Sequence, residues 1–232
     1  MKILAVDTAS KSCSVAVVDN TSVLALQTII SDQTHSRHLM VMIDKVIKLS
    51  RIKPSDIDGF AVTTGPGTFT GLRIGISSVK GLAVALNKPV TCVSSLDVLA
   101  MQTACYSYLI CPLMDARRGE VYCARYRLTS YEFKAGVLTN ETDESVLPPD
   151  KAIEGIDEPC MFVGEGASLY HKIIEDKLGD MAFFASPSQN TTCASTVAYL
   201  GLNQFKSNVF SNPEAIVPHY IRRSDAEINA KA

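Results

Sequence analysis

The stretch with the most chemistry written into it is Gly65-Pro66-Gly67-Thr68-Phe69-Thr70-Gly71-Leu72-Arg73-Ile74-Gly75. Its glycines and proline force a sharp reversal. Thr68 and Thr70 bring hydroxyls to the start of a helical pattern over 72–86, where backbone N–H groups lack intrahelical partners. An apolar strand (Phe60-Ala61-Val62), a glycine-rich turn and a helix N-terminus together make an anion-binding geometry. The same residues also make a tight strand-to-helix turn that binds nothing, and the stretch alone does not decide between the two.

Other reactive side chains are scattered. Asp7 ends the apolar run Ile3-Leu4-Ala5-Val6, and Asp115 ends a second run over 108–114. His35 and His38 are three apart on a predicted helix and could share a face. A metal there needs a third ligand and a supporting shell, and a surface or interface pair is the other reading. No His-Glu-x-x-His is present. Ser12, Ser77 and Ser78 have no base nearby to activate a nucleophile. Arg117 and Arg118 suit either RNA phosphate or plain solvation.

The elements that must position these residues repeat. Strands are predicted over 2–7, 13–18 and 22–29, joined by short turns as an antiparallel meander. A helix follows from 35, with Leu39, Ile43, Val46 and Ser50 on one face and Met40, Ile43 and Ile47 beside them. A helix apolar over more than one face buries more than its own domain covers, or lies in a larger core. Residues 58–63 make a fourth strand into the glycine loop. The helix after it carries Gly71, Gly75, Ser78 and Leu82 along one face, small enough for another helix to approach closely. A fifth strand (89–93) and a short helix (96–103) complete the half. The pattern then restarts: apolar strand, Asp115, polar turn, alternating strand over 120–128. Residues 138–159 read as loop with one helix over 149–154. A strand over 160–163, the turn Gly164-Glu165-Gly166, helical residues 168–177, a strand over 181–184 and a helix over 194–206 follow. The repeat predicts two duplicated lobes: an N-terminal lobe over 1–104, a C-terminal lobe over 105–210, and a tail over 211–232 crossing back to the first lobe to cover Ile216, Val217, Tyr220 and Ile221.

Composition sets limits. The 232 residues carry a net charge of −2, so no global basic field recruits nucleic acid. No apolar run approaches the roughly 20 residues that span a bilayer, and the run at the start is too short for a signal sequence; a cytoplasmic location is expected. Seven cysteines, at 13, 92, 105, 111, 123, 160 and 193, are odd in number with no Cys-x-x-Cys, which suggests buried reduced thiols.

Two lobes of meander plus strand–glycine–helix units resemble the actin, hexokinase and Hsp70 type of fold, an α/β architecture of RNase H-like lobes. More closely, the chain resembles the TsaB (formerly YeaZ) family, partners of the TsaD enzyme that makes threonylcarbamoyladenosine in tRNA beside the anticodon. The resemblance rests on Ile3-Leu4-Ala5-Val6-Asp7-Thr8, His35-Ser36, the stretch from Gly65 to Gly75, Lys80-Gly81-Leu82-Ala83, Asp115-Ala116-Arg117-Arg118-Gly119-Glu120-Val121-Tyr122, and Tyr220-Ile221-Arg222. It implies a nucleotide cleft whose remnant is Asp7, Thr8, Gly65, Gly67, Thr68 and Asp115. Members of the superfamily that use ATP place a glycine within two residues of each strand-end acid; here Thr8-Ala9-Ser10 and Ala116-Arg117-Arg118 stand instead, and side chains crowd the phosphates. TsaD carries a metal-binding His-x-x-x-His where this chain has Ser95 and Leu99. The resemblance therefore implies a non-catalytic subunit. Its partner-binding residues would be His35, Leu39, Met40, Ile43, Ile47, Gly71, Arg73, Gly75, Ser78 and Leu82, packed in a helix bundle against TsaD. It implies no cofactor beyond weak nucleotide binding at a subunit joint, no membrane, a TsaE-like ATPase as a further partner, tRNA met indirectly, and a homodimer when the chain is alone. An ATP-dependent phosphotransferase of the same fold is the alternative, and a metallopeptidase the third.

Overall fold

A computed structural model describes residues 1–20, 22–103, 107–129 and 137–222. The chain forms two compact units, one of Met1–Val98 with Thr192–His219, the other of Leu99–Thr191 with Tyr220–Arg222. The predicted junction near 104 and Cys105 lie outside the described residues, as does the tail past 222.

The first unit is organised on a five-stranded sheet. Strands β1 (Ile3–Asp7), β2 (Ser12–Val18) and β3 (Val23–Ile30) meander antiparallel. Strands β4 (Gly59–Gly65) and β5 (Val90–Ser94) join parallel on the other side of β1, giving the order β3-β2-β1-β4-β5. Residues of β1, β2 and β4 are buried throughout, which is why they read as apolar runs without alternation. One face carries α1 (Leu39–Leu49), over β2 and β3, and α2 (Phe69–Leu86), over β4 and β1. The helix expected from residue 35 begins as a single 3-10 turn, His35–Arg37, before α1. Helix α2 is the one helix among the described residues long and apolar enough to cross a membrane; here Gly71, Leu72, Gly75, Ile76, Val79 and Ala83 face the sheet. Asn87 ends it in the left-handed conformation at φ 52°. Helix α3 (Ser95–Gln102) follows β5.

The second unit repeats the scheme. Its strands are β6 (Leu109–Arg117), β7 (Glu120–Cys123), β8 (Tyr126–Thr129), β9 (Val137–Asn140), β10 (Ser145–Leu147), β11 (Cys160–Val163) and β12 (Ala182–Phe184). The order β10-β7-β6-β11-β12 has two antiparallel neighbours on one side of β6 and two parallel ones on the other, as around β1. Its core joins Leu109, Cys111, Val121, Cys160, Phe162 and Ile174. Helices α4 (Pro149–Ala152), α5 (Glu165–Leu169) and α6 (His171–Leu178) complete it.

Three expectations need correction. The single strand over 120–128 breaks at Ala124-Arg125. There the Arg125 guanidinium donates to the carbonyls of Ala152 (3.1 Å) and Glu154 (2.6 Å), its N–H donates to Thr142 Oγ1, and its carbonyl accepts from Glu141 and Thr142. The chain keeps β6 as a neighbour on both sides of the break and exchanges β10 for β9 on its other side. The stretch over 138–159 holds the expected helix as α4, but also most of β9 and all of β10, and strands of four and three residues are too short for periodicity to find. Finally, the helix over 194–206 does not belong with 105–210. Helix α7 (Ala194–Lys206) packs Ala194, Val197, Ala198, Leu202 and Phe205 onto Ile3, Ala5, Ala16, Val18, Ala61 and Val93, on the sheet face opposite α1 and α2. The chain after it stays on the first unit as far as His219: Ser211 bridges Val90, the Lys80 ammonium donates to the carbonyls of Glu214 (3.0 Å) and Ile216 (3.2 Å), and the His219 N–H donates to Thr64 O, while Tyr220 and Ile221 belong to the second unit. Ile216 is buried, but Val217 is 70% exposed.

Candidate functional site

Asp7 closes β1 and is fully buried. Its Oδ1 accepts from Thr63 Oγ1 (2.7 Å) and from the Ala9 N–H (3.4 Å), and its Oδ2 from Thr192 Oγ1 at 2.5 Å. Burial raises its pKa above the ordinary carboxylate range, against the lowering pull of Thr192, Thr63, Ala9 and the His35 charge. Neighbouring Thr8 donates from Oγ1 to the Gly71 carbonyl at 2.8 Å. The acid expected as a remnant of a nucleotide cleft is thus bonded into its own lobe.

The glycine loop is filled in the same way. Gly65 has φ 129°, and a Cβ there would lie 2.5 Å from the His219 carbonyl. Gly67 packs on the Ala9 carbonyl, which also accepts the Thr68 N–H at 2.7 Å. Thr68 is the residue before α2, but its side chain caps no helix N–H. Backbone of the chain itself therefore occupies the space beside the glycines that an anion would need.

The small-residue stripe turns inward. A Cβ on Gly71 would strike the Thr8 carbonyl and Thr68 Oγ1, and one on Gly75 would strike Thr8 Oγ1. Both glycines are buried and exist to let α2 approach the end of β1, so their assignment to a partner surface is corrected. Leu39 and Ile43 are buried in the core together with Met42 and Val46, and Ser78, Leu82 and Ile47 are half-buried. The solvent face of α2 is instead Thr70, Arg73, Ser77, Gly81 and Val84, at i, i+3, i+7, i+11 and i+14. Gly81 has nothing within 4 Å of its missing Cβ, and Val84 is 57% exposed. On α1, Met40 is 50% and Val41 68% exposed. The Arg73 guanidinium lies 3.7 Å from the centre of the Phe69 ring. His35 Nε2 is bonded to the Ser10 carbonyl (2.8 Å) and His38 Nε2 to Gln33 Oε1 (3.0 Å), so the two imidazoles have different partners.

In the second unit Asp115 differs from Asp7. Strand β6 runs on past it, its side chain is part-exposed, and its Oδ1 accepts the Arg117 N–H at 2.8 Å. The turn at Gly164 packs on the Leu113 carbonyl, and the Gly164 N–H donates to Asn190 Oδ1. Ser95 and Leu99 are both buried. Sequence reasoning missed Thr63, Thr192, Val41, Gly81 and Val84. A threonine inside a buried apolar strand was a legible signal for Thr63; nothing local marks Thr192.

A family model described as TsaD, tRNA N6-adenosine threonylcarbamoyltransferase, matches residues 27–230. The tRNA threonylcarbamoyladenosine biosynthesis protein TsaB of Bacillus subtilis is 33% identical over 230 residues, 98% of this chain and 96% of the relative. A Pseudomonas aeruginosa structure, described as an uncharacterized protein with similarity to peptidase YEAZ, superposes with TM-score 0.81 at 27% identity, over 95% of this chain and 99% of that one. An activator of 2-hydroxyisocaproyl-CoA dehydratase from Clostridium difficile, with bound ADPNP, reaches TM-score 0.52 at 10% identity over 90% of this chain and 97% of its own, a likeness of fold alone. Both the nucleotide-binding neighbour and the end-to-end relatives share the paired-sheet architecture, and only the latter share the sequence: this chain belongs to the TsaB family.

Proposed function

We propose that the chain is a non-catalytic subunit in the formation of threonylcarbamoyladenosine beside the tRNA anticodon, supporting a TsaD-like catalytic subunit. The observation that carries this reading is the filling of the first lobe's reactive site by its own chain. Asp7 spends both oxygens on Thr63, Thr192 and Ala9, and the His219 and Ala9 carbonyls sit on the glycines. A lobe built for chemistry leaves such groups facing a cleft.

The docking face in this reading is the outer side of α1 and α2: Met40, Val41, Ser77, Gly81 and Val84. A glycine inside an exposed helix costs about 1 kcal/mol against alanine, and no contact among the described residues offsets it at Gly81. Close approach of a partner helix does. Alone, the chain pairs with a second copy through the same self-complementary face. The assembly includes a TsaE-like ATPase and works in the cytoplasm, without a cofactor held by this subunit.

Gly81→Leu tests the surface. It improves helix propensity and fills open space, so the lobe stays folded by circular dichroism, while co-elution with the TsaD-like subunit is lost. Unchanged co-elution would remove this face from consideration. Multiple turnovers of ATP by the isolated wild-type chain would overturn the non-catalytic reading itself.

A further inference from the structure

The break at Ala124-Arg125 leaves room inside the second unit. Strand β7 takes β10 as its outer neighbour, with Ser145 opposite Cys123 and Leu147 opposite Val121, while β8 takes β9. The two outer strands therefore part at the break, and α4 packs over β7 beside it. A cavity of about 190 Å³ lies between them. One part of its wall is apolar or thiol, including Cys111, Cys123 and Leu147. Burial pushes the Cys123 thiol up to about 11, so it carries no charge at neutral pH. The other part is polar, with Arg125, Asp143, Ser145 and Lys151.

Arg125 is half-buried in that wall. Two residues on, Arg127 meets the carboxylates of Glu141 and Glu158. Among the described residues Arg125 meets carbonyls instead, its Nη2 donating to Ala152 and Glu154. Its backbone N–H donates to Thr142 Oγ1. These bonds fix the guanidinium in place but bring no negative charge to balance it. A positive charge held partly out of water without a counter-ion is costly, and a bound anion removes that cost. The planar fork of a guanidinium matches a carboxylate, and Nη2 is only one arm of it.

Size and charge narrow the ligand. A cavity of about 150 Å³ accepts benzene, so this one takes a molecule slightly larger. Asp143 is exposed and sits at the mouth, where it opposes a dianion. Lys151, the other cation, is engaged with Glu154 at 3.2 Å. We infer that the second unit binds a small monocarboxylate here, its carboxylate on Arg125 and its short carbon chain along Cys111, Cys123 and Leu147. The inference goes beyond the subunit role proposed above and does not depend on it. A ligand so placed would join the break, the β9–β10 turn and α4.

The test is a titration of the full, isotope-labelled chain followed by amide NMR. The probes are butyrate, its uncharged isostere butyramide, and inorganic phosphate. Butyrate should give saturable shifts confined to residues 123–125, 142–147 and 151–152, which surround the cavity. Butyramide should bind at least about tenfold more weakly, because the charge-assisted bond is lost. Arg125→Gln should weaken butyrate by a similar factor. Asp143→Asn changes an exposed side chain and should tighten butyrate about two- to fivefold by removing a like charge. Absence of saturable shifts with butyrate overturns the inference. Equal binding of butyramide overturns it in favour of a merely apolar cavity, and tighter binding of phosphate overturns the choice of carboxylate. Unchanged butyrate affinity in Asp143→Asn also counts against it. Should Arg125→Gln fail to fold, the butyramide and Asp143→Asn comparisons decide.

Discussion

Two glycines six residues apart on α2 should respond to alanine with opposite signs. At Gly75 a Cβ would lie closer than 3.0 Å to Thr8 Oγ1, the donor to the Gly71 carbonyl. Relief requires the hydroxyl to move, which leaves a buried donor and acceptor unpaired at a cost of about 1–3 kcal/mol. Overpacking of α2 against β1 adds about 1–3 kcal/mol. Alanine in a helix returns about 1 kcal/mol against glycine. Gly75→Ala should therefore lose about 1–5 kcal/mol, by the terms just given. At Gly81 no atom lies within 4 Å, so only propensity remains, and Gly81→Ala should gain up to about 1 kcal/mol. Urea unfolding followed by far-ultraviolet circular dichroism measures both, since the chain has no tryptophan to report by fluorescence. A Thr8→Ala background sharpens the test. With the hydroxyl gone, the Gly75→Ala penalty should shrink by about 1 kcal/mol or more, the coupling expected of residues in contact. If Gly75→Ala stabilises like Gly81→Ala, or shows no coupling to Thr8, the inward orientation of the small-residue stripe is wrong.

Asp7 predicts a pH dependence. Its folded pKa is raised from the ordinary 3.8, so the folded state binds the extra proton above that pH. The associated stability is fully present below the unfolded value and is lost as pH rises through the folded one. The stability of Asp7→Asn minus that of wild type should grow as pH climbs from 3.8; a flat difference would refute the buried-acid account. Burial pushes Cys123 up to about 11 and Cys13 up to about 12. At pH 8 the thiolate fraction of Cys123 is then about one part in a thousand. Neither thiol should react promptly with a thiol reagent in the folded protein, while urea should release both; mass spectrometry of the labelled peptides decides.

The amino-acid pattern carried the architecture further than the surfaces. Apolar runs ending on Asp7 and Asp115 announced two lobes, because strands buried on both faces cannot alternate, and the matching sheet orders follow from that repeat. Helix α1 was legible as amphipathic but not as to which side faces out: Met40 and Val41 point to solvent and Met42 to the core. On α2 the glycines gave a true signal of close approach but not its direction, since 3.6-residue periodicity is the same whether the neighbour is a partner or the chain's own β1. The bonds around Asp7 join residues far apart in sequence, such as Thr192, and no local window contains both.

That long-range bond bears on the order in which the protein is made. Helix α7 covers the face of the first sheet formed by Ile3, Ala5, Ala16, Val18 and Ala61, yet it leaves the ribosome only after Leu99–Thr191 of the second unit. Until then the earliest strands have one face covered and the other bare, and the lobe that starts first waits for most of the second before it is complete. During synthesis the nascent chain must hold that apolar surface apart from other chains while about a hundred further residues emerge, some 5–20 s of exposure at common elongation rates. A product ending near residue 104 would keep the surface bare permanently, so a fragment of the first lobe should aggregate where the full chain does not.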